Sequence, residues 1–298
     1  MIVVLLMVVG SVARSARHQP YGGQVDSALT PTPGRQAIET PGRQAMERTG
    51  VDGTHLRLGR PLLADSARPR AASALACCAA IVALLGALFW HQSTADWLDR
   101  AVDAPFLTWF GGQHRLGLWL ASAARLPAAV LTAAVVITCL LTGRLNGAVL
   151  GAAALPAAVG LDEGVLKPLV HRTYQGSLVY PSGHTTAMFA LTATAAVLLL
   201  IPPRPARFTT LRIVIPVAAG VLGLVVASAV IGLGWHYFTD TVAGAAVGIG
   251  TVCALALILD LPAVRRLLSR LTREPLTADH GSLQRITEVN AMVKARAR

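Results

Sequence analysis

The fold class predicted for this chain is all-α: a bundle of six transmembrane helices with a disordered N-terminal extension. Three observations carry that prediction. The 298 residues are 54% hydrophobic and only 14% charged, with a mean hydropathy of +0.57. Such a balance belongs to a bilayer-embedded chain rather than a soluble domain. Apolar stretches of spanning length recur between residues 71 and 259. The basic residues, finally, gather between alternate stretches, as cytoplasmic loops do.

The elements follow in order. Residues 1–13 are apolar but too short to span, and no basic region precedes them. Ser11-Val12-Ala13 has the small-residue character of a cleavage site. A signal peptide and an over-extended start are both open readings. Residues 14–70 are rich in Arg, Pro, Gly and Thr. They contain a near-duplicate of eight residues, Pro33–Thr40 and then Pro41–Arg48. Residues 14–70 hold too few bulky apolar side chains to bury a core, and residues 1–70 are expected to be a disordered, low-complexity extension. A membrane domain over residues 71–260 then supplies six candidate spans: Ala71–Trp90, Leu126–Thr142, Leu145–Leu161, Thr185–Ile201, Ile213–Trp235 and Thr241–Leu259. Residues 261–298 form a basic tail.

Net charge is +11, and only Lys167 and Lys294 among the basic residues are lysine. The later inner loops would hold Arg144, then Arg204, Arg207 and Arg212, then Arg265, Arg266, Arg270 and Arg273. This arrangement predicts a multi-pass protein of the cell membrane with both termini cytoplasmic. It accounts for the positive charge without nucleic acid as a partner. The four cysteines, Cys77, Cys78, Cys139 and Cys253, fall in apolar runs with no metal-ligand or disulfide spacing, so they are expected to be small packing residues. No cofactor and no metal is called for, and no pattern specifies an oligomeric state.

The same topology brings Lys167, Arg172, His184, His236 and Asp240 to the outer face. Pro181-Ser182-Gly183-His184 opens the fourth span. Ser182 suits a helix N-cap, and Gly183 lets a backbone N–H come close to a ligand. A helix N-terminus of this kind is a ready phosphate site. His236 precedes Asp240 by four residues, which shares a face if the segment is helical. A carboxylate there can hold one imidazole nitrogen protonated and leave the other nucleophilic. The same pair can instead merely cap the sixth helix. Lys167 can bind phosphate or snorkel to headgroups, and Arg172 can clamp phosphate oxygens in bidentate fashion or be an ordinary loop cation.

Together these residues describe phosphoryl transfer. Lys167, Arg172, Ser182 and the Gly183 N–H would hold the non-bridging oxygens. His236 would attack phosphorus, giving a phosphohistidine. His184 would protonate the leaving alkoxide and later activate water, while Asp240 would orient His236.

This constellation resembles the type 2 phosphatidic acid phosphatase (PAP2) superfamily, whose pattern is K-x6-R-P, then P-S-G-H, then S-R-x5-H-x3-D. Residues 181–184 match in full, as do His236 and Asp240, and Lys167 matches the start of the first motif. The resemblance implies a six-helix membrane phosphatase with His236 as nucleophile and His184 as acid. It implies as substrates lipid phosphates such as polyprenyl phosphates or diphosphates, phosphatidic acid or phosphatidylglycerol phosphate. Two departures stand out. Tyr174 and Gln175 occupy the Arg-Pro of the first motif, for which Arg172 is the expected substitute. Ala229 and Val230 occupy the Ser-Arg of the third. The alternative is therefore a non-catalytic lipid-phosphate-binding or scaffold protein. A transporter is disfavoured by the absence of acidic residues within the expected spans.

Overall fold

The computed structural model describes residues 61–123, 125–200 and 209–271. The elements run α1 (Arg68–Leu88), α2 (Trp97–Gly111), α3 (His114–Ala123), α4 (Arg125–Leu141) and α5 (Leu145–Leu161). A π-helical turn (Asp162–Leu166) leads into α6 (Lys167–Val170), then a hairpin of β1 (Thr173–Tyr174) and β2 (Ser177–Leu178). The chain ends in α7 (Gly183–Leu200), α8 (Thr209–Gly232), α9 (Phe238–Leu259) and α10 (Pro262–Leu271).

Among the described residues, five helical stretches are long and apolar enough to cross a membrane: Arg68–Leu88, Leu145–Val170, Gly183–Leu200, Thr210–Gly232 and Phe238–Leu259. The described residues are thus all-α with membrane-spanning character, and the remaining expected span, Leu126–Thr142, falls on α4, whose described apolar stretch Ala128–Leu141 is shorter than those five. The expected third span is longer than its apolar run. Helical backbone continues through the π turn to Val170, so Asp162, Glu163 and Lys167 lie within it rather than beyond its end.

At the centre α7 packs on α9, with α1 and α8 on either side. Small residues make this possible. A Cβ on Gly244 would lie 2.5 Å from the Ser182 carbonyl oxygen, and one on Gly248 would lie 2.5 Å from that of Thr186. Only glycine allows two backbones to approach so closely. Buried Phe189, Ala245, Ala246, Ile249 and Cys253 continue the contact toward α1. Large apolar side chains such as Leu84, Leu141, Val214 and Val221 are exposed, which is the surface a bilayer would cover.

The segment 91–123, between the first two expected spans, contains the two helices α2 and α3. Asp99, Asp103 and Phe110 of α2 are buried, whereas its Trp97 and Trp109 are exposed. That amphipathic division explains why hydropathy alone does not reveal α2. Phe110 closes against α8 at Gly232, where an added Cβ would meet its ring at 2.1 Å.

The disordered extension was expected to reach residue 70, and residues 61–70 correct that boundary. Leu62 and Leu63 are buried, and their N–H groups donate to the two Asp260 carboxylate oxygens, each at 2.7 Å. Residues 1–60, with the near-duplicate, lie outside the described residues, as does the tail beyond Leu271. Three cysteines pack inside as expected, Cys78, Cys139 and Cys253, but Cys77 is exposed; none of the four forms a disulfide.

Candidate active site

The β1–β2 hairpin positions everything that follows. Its turn residues Gln175 and Gly176 both have positive φ (49° and 81°), the geometry of a tight two-residue hairpin. The second strand hands the chain to Val179, and the Val179 N–H returns to the Arg172 carbonyl at 3.0 Å. Pro181 and Ser182 then lead into α7 at Gly183. The Ser182 carbonyl accepts from Thr186 N at 2.9 Å, which sets Ser182 at the cap position.

A cavity of about 820 Å³ opens beside this turn. It is lined by Lys167, Gly183, His184 and His236, four of the seven residues singled out from the sequence. The same cavity is walled by Ala128 of α4 and by Leu155, Pro156 and Val159 of α5. The two imidazole ring centres are 6.5 Å apart, and Trp235 lies 5.8 Å from the His184 ring.

His236 has a defined tautomer. Its Nδ1 lies 2.9 Å from the Val179 carbonyl oxygen. A carbonyl only accepts, so Nδ1 carries the proton and Nε2 keeps its lone pair. Burial pushes the imidazole pKa down from 6.5 to about 3, the nearby Lys167 charge pushes the same way, and the Val179 bond opposes only in part. His236 is thus neutral across ordinary pH, as a nucleophilic nitrogen must be.

The partner is not the one expected. The shared-face argument for Asp240 required helix from residue 236, but α9 begins at Phe238 and residues 233–237 form a turn. The Asp240 carboxylate instead reaches back to the Tyr237 N–H at 2.9 Å, closing the cap of α9. Its other oxygen accepts from Arg172 Nη1 at 2.7 Å. Asp240 still touches the site through its backbone, since its carbonyl accepts from Ser182 N at 3.0 Å.

Arg172 is also elsewhere than expected. It is fully buried and does not line the cavity. Nη2 donates to Asp99 at 2.5 Å, and Nη1 donates to Asp240 and to the Thr239 hydroxyl, both at 2.7 Å. Its guanidinium carbon stands 3.8 Å from the Phe89 ring centre and 4.4 Å from that of Tyr237. Nε alone has no partner among the described residues. The fork that would have clamped phosphate is engaged with two carboxylates. Asp99 and Asp103 from α2 also accept from the Thr239 and Phe238 N–H groups, at 3.0 and 3.1 Å. The start of α9 is thereby saturated with side-chain acceptors.

Ser182 is fully buried, with its hydroxyl accepting from Thr185 at 3.2 Å, and it does not line the cavity either. Val230, at the third-motif arginine position, is buried in α8. Tyr174, at the first-motif position, packs on Tyr237 with ring centres 4.7 Å apart. Tyr174 and Tyr237 line a second cavity of about 210 Å³ together with Arg100, Asp103, Gly234 and His236. Burial, and then the neighbouring Asp99, raise the Asp103 pKa to about 7.

Sequence reasoning left two kinds of contributor unassigned. The carboxylates of α2 carry no motif. Glu163 lines the main cavity and accepts from Lys167 Nζ at 2.7 Å; its spacing of four residues from Lys167 was the available signal. Among the described residues, no group of three or more His, Cys, Asp or Glu side chains is placed to hold a metal ion.

No curated protein and no solved structure gives a match to this chain. The PAP2 superfamily model matches residues 70–261, an interval that takes in His184, His236, the cavity around them and the described helices from the first turn of α1 to the end of α9. The chain is a multi-helix membrane protein belonging to the PAP2 superfamily.

Proposed function

We propose that this protein is a membrane-embedded phosphatase that hydrolyses a lipid phosphate monoester or diphosphate at the extracytoplasmic face. Membership of a superfamily of phosphatases supports hydrolysis of phosphoric esters. The observation that carries the finer reading is the mixed character of the main cavity. One space holds Lys167, the start of α7 and two histidines, and is also walled by aliphatic residues of two apolar helices. A phosphate on an apolar tail is complementary to both. Outward orientation rests on the arginine distribution.

In the proposed mechanism Lys167 and the Gly183 N–H hold the non-bridging oxygens. The His236 Nε2 lone pair attacks phosphorus and the P–O bond to the lipid breaks. His184 delivers its proton to the departing alkoxide. It then takes a proton from water, which attacks the phosphohistidine and releases phosphate and neutral His236. The Val179 carbonyl holds the tautomer. Arg172, Ser182 and Asp240 act as positioning residues: they fix the turn at residues 180–184 against the start of α9.

The test is phosphate release by the detergent-purified full chain from a panel of polyprenyl phosphate, polyprenyl diphosphate, phosphatidic acid and phosphatidylglycerol phosphate. At least one substrate is hydrolysed, and His236→Ala falls to background. No release from any of them, or equal release by the variant, refutes the proposal. The second reading, binding without hydrolysis, is favoured by Tyr174 and Val230 at the arginine positions and by the engaged fork of Arg172. It predicts lipid-phosphate binding with no release in that same assay.

A further inference from the structure

The position of Glu163 bears on what the cavity can accept. Glu163 Oε1 lies 2.7 Å from Lys167 Nζ. A Cβ built on Gly183 would lie 2.7 Å from that same oxygen and 3.9 Å from Lys167 Nζ. A carboxylate oxygen therefore sits between the Lys167 ammonium and the first residue of α7, within the cavity shared with both histidines. A cation on one side and a helix start on the other is the environment that an incoming phosphate oxygen requires. Glycine at 183 is what leaves room for the occupant.

Building on the phosphatase reading above, we propose that Glu163 is a built-in competitor for the phosphate and sets the specificity of the site: it fills the anion seat until a substrate with an apolar tail displaces it. The seat is releasable. The Glu163 side chain is 51% exposed while that of Lys167 is only 12% exposed. Half of the Glu163 side chain is unconfined by protein, so the carboxylate has open space at the cavity to turn into once Lys167 is taken by another anion. Free phosphate, or a short water-soluble ester, brings only its charge and must contend with a like charge already seated. A lipid phosphate adds burial of its tail against Ala128, Leu155, Pro156 and Val159, which offsets the displacement. Selection arises from an obstacle to the wrong ligand as much as from contacts to the right one.

Titration of inorganic phosphate into the detergent-purified full chain tests this directly. Glu163→Gln keeps the shape and removes the charge. It should bind inorganic phosphate at least about tenfold more tightly than the wild type. Its preference in kcat/KM for a long-chain over a short-chain lipid phosphate should fall by a similar factor. If Glu163 merely oriented Lys167, the variant would bind phosphate equally or more weakly, and that result overturns the proposal. Glu163→Ala carries the same expectation should the glutamine variant misfold, and Lys167→Met should abolish the gain in either background. The two readings fail separately. Tightened phosphate binding with no catalysis in any form of the protein removes the phosphatase and leaves the occupied seat. His236-dependent catalysis without tightening does the reverse.

Discussion

Replacing Arg172 by methionine should unfold the bundle before it touches phosphate affinity. The side chain is fully buried and binds Asp99 at 2.5 Å, with Asp240 and Thr239 at 2.7 Å. Methionine fills most of the volume between Phe89 and Tyr237 but leaves two buried carboxylates with no counter-charge. Removing one partner of a buried ion pair costs about 3–5 kcal/mol. For a domain of this size each kcal/mol lowers the melting temperature by about 2–4 °C, so the expected loss is roughly 6–20 °C. Lysine should not rescue it, because a single ammonium cannot reproduce a fork that serves two carboxylates. Adding Asp99→Asn to the methionine variant should recover part of the loss by removing one orphaned charge. The assay is thermal unfolding in detergent followed by intrinsic fluorescence, alongside Lys167→Met as a cavity control that melts like the wild type. Wild-type melting in Arg172→Met, accompanied by a raised KM for lipid phosphate, would refute the network argument. Arg172 would then be a phosphate ligand after all.

Three further outcomes follow from the geometry. With its pKa lowered to about 3, His236 should stay neutral through the mildly acidic range, so a fall in kcat/KM between pH 7 and 4 comes from other groups. Because the unfolded histidine titrates near 6.5, the native state binds fewer protons between pH of about 3 and 6.5, and this residue makes stability rise with pH across that window. A His236 resonance titrating near 6.5 by NMR of labelled protein would contradict both statements. Gly248→Val places a Cβ 2.5 Å from one backbone oxygen and 2.7 Å from the Ala190 nitrogen; the expected cost is about 3 kcal/mol, the upper end for overpacking, seen as loss of monodisperse protein on size exclusion. Asp260→Ala strands the Leu62 and Leu63 N–H groups, costing about 1–3 kcal/mol for each group left buried and unpaired, read out as faster proteolysis near residue 62.

Much of the bundle could be read from composition because hydropathy is a property of contiguous residues. Thr185–Ile201 and Thr241–Leu259 predict their helices to within a few positions. The Pro181–His184 turn and His236 were equally accessible, since their chemistry is written in residue types. What escaped reading depends on pairs distant in sequence or on backbone atoms. Arg172 finds Asp99 seventy-three residues away, on a helix whose alternating exposure masks it. The atom holding His236 is the carbonyl of Val179, and any residue supplies a carbonyl. The shared face of His236 and Asp240 failed for a local reason: four residues share a face only where the chain is already helical.

The Asp260 contact with Leu62 and Leu63 also says where the folded unit stops. It fastens the chain just before the first span to the chain just after the last, so residues 62–260 form a closed ring about 200 residues long. A truncation beginning at residue 70, where the family match begins, would cut that ring open. It would also leave a carboxylate buried at the end of α9 without its two donors. The minimal piece for expression or grafting therefore starts at residue 61, and the chain at Leu62 and the chain at Asp260 stand side by side. Reporter groups fused to a chain trimmed to those two points would sit within energy-transfer range whatever the bundle between them is doing.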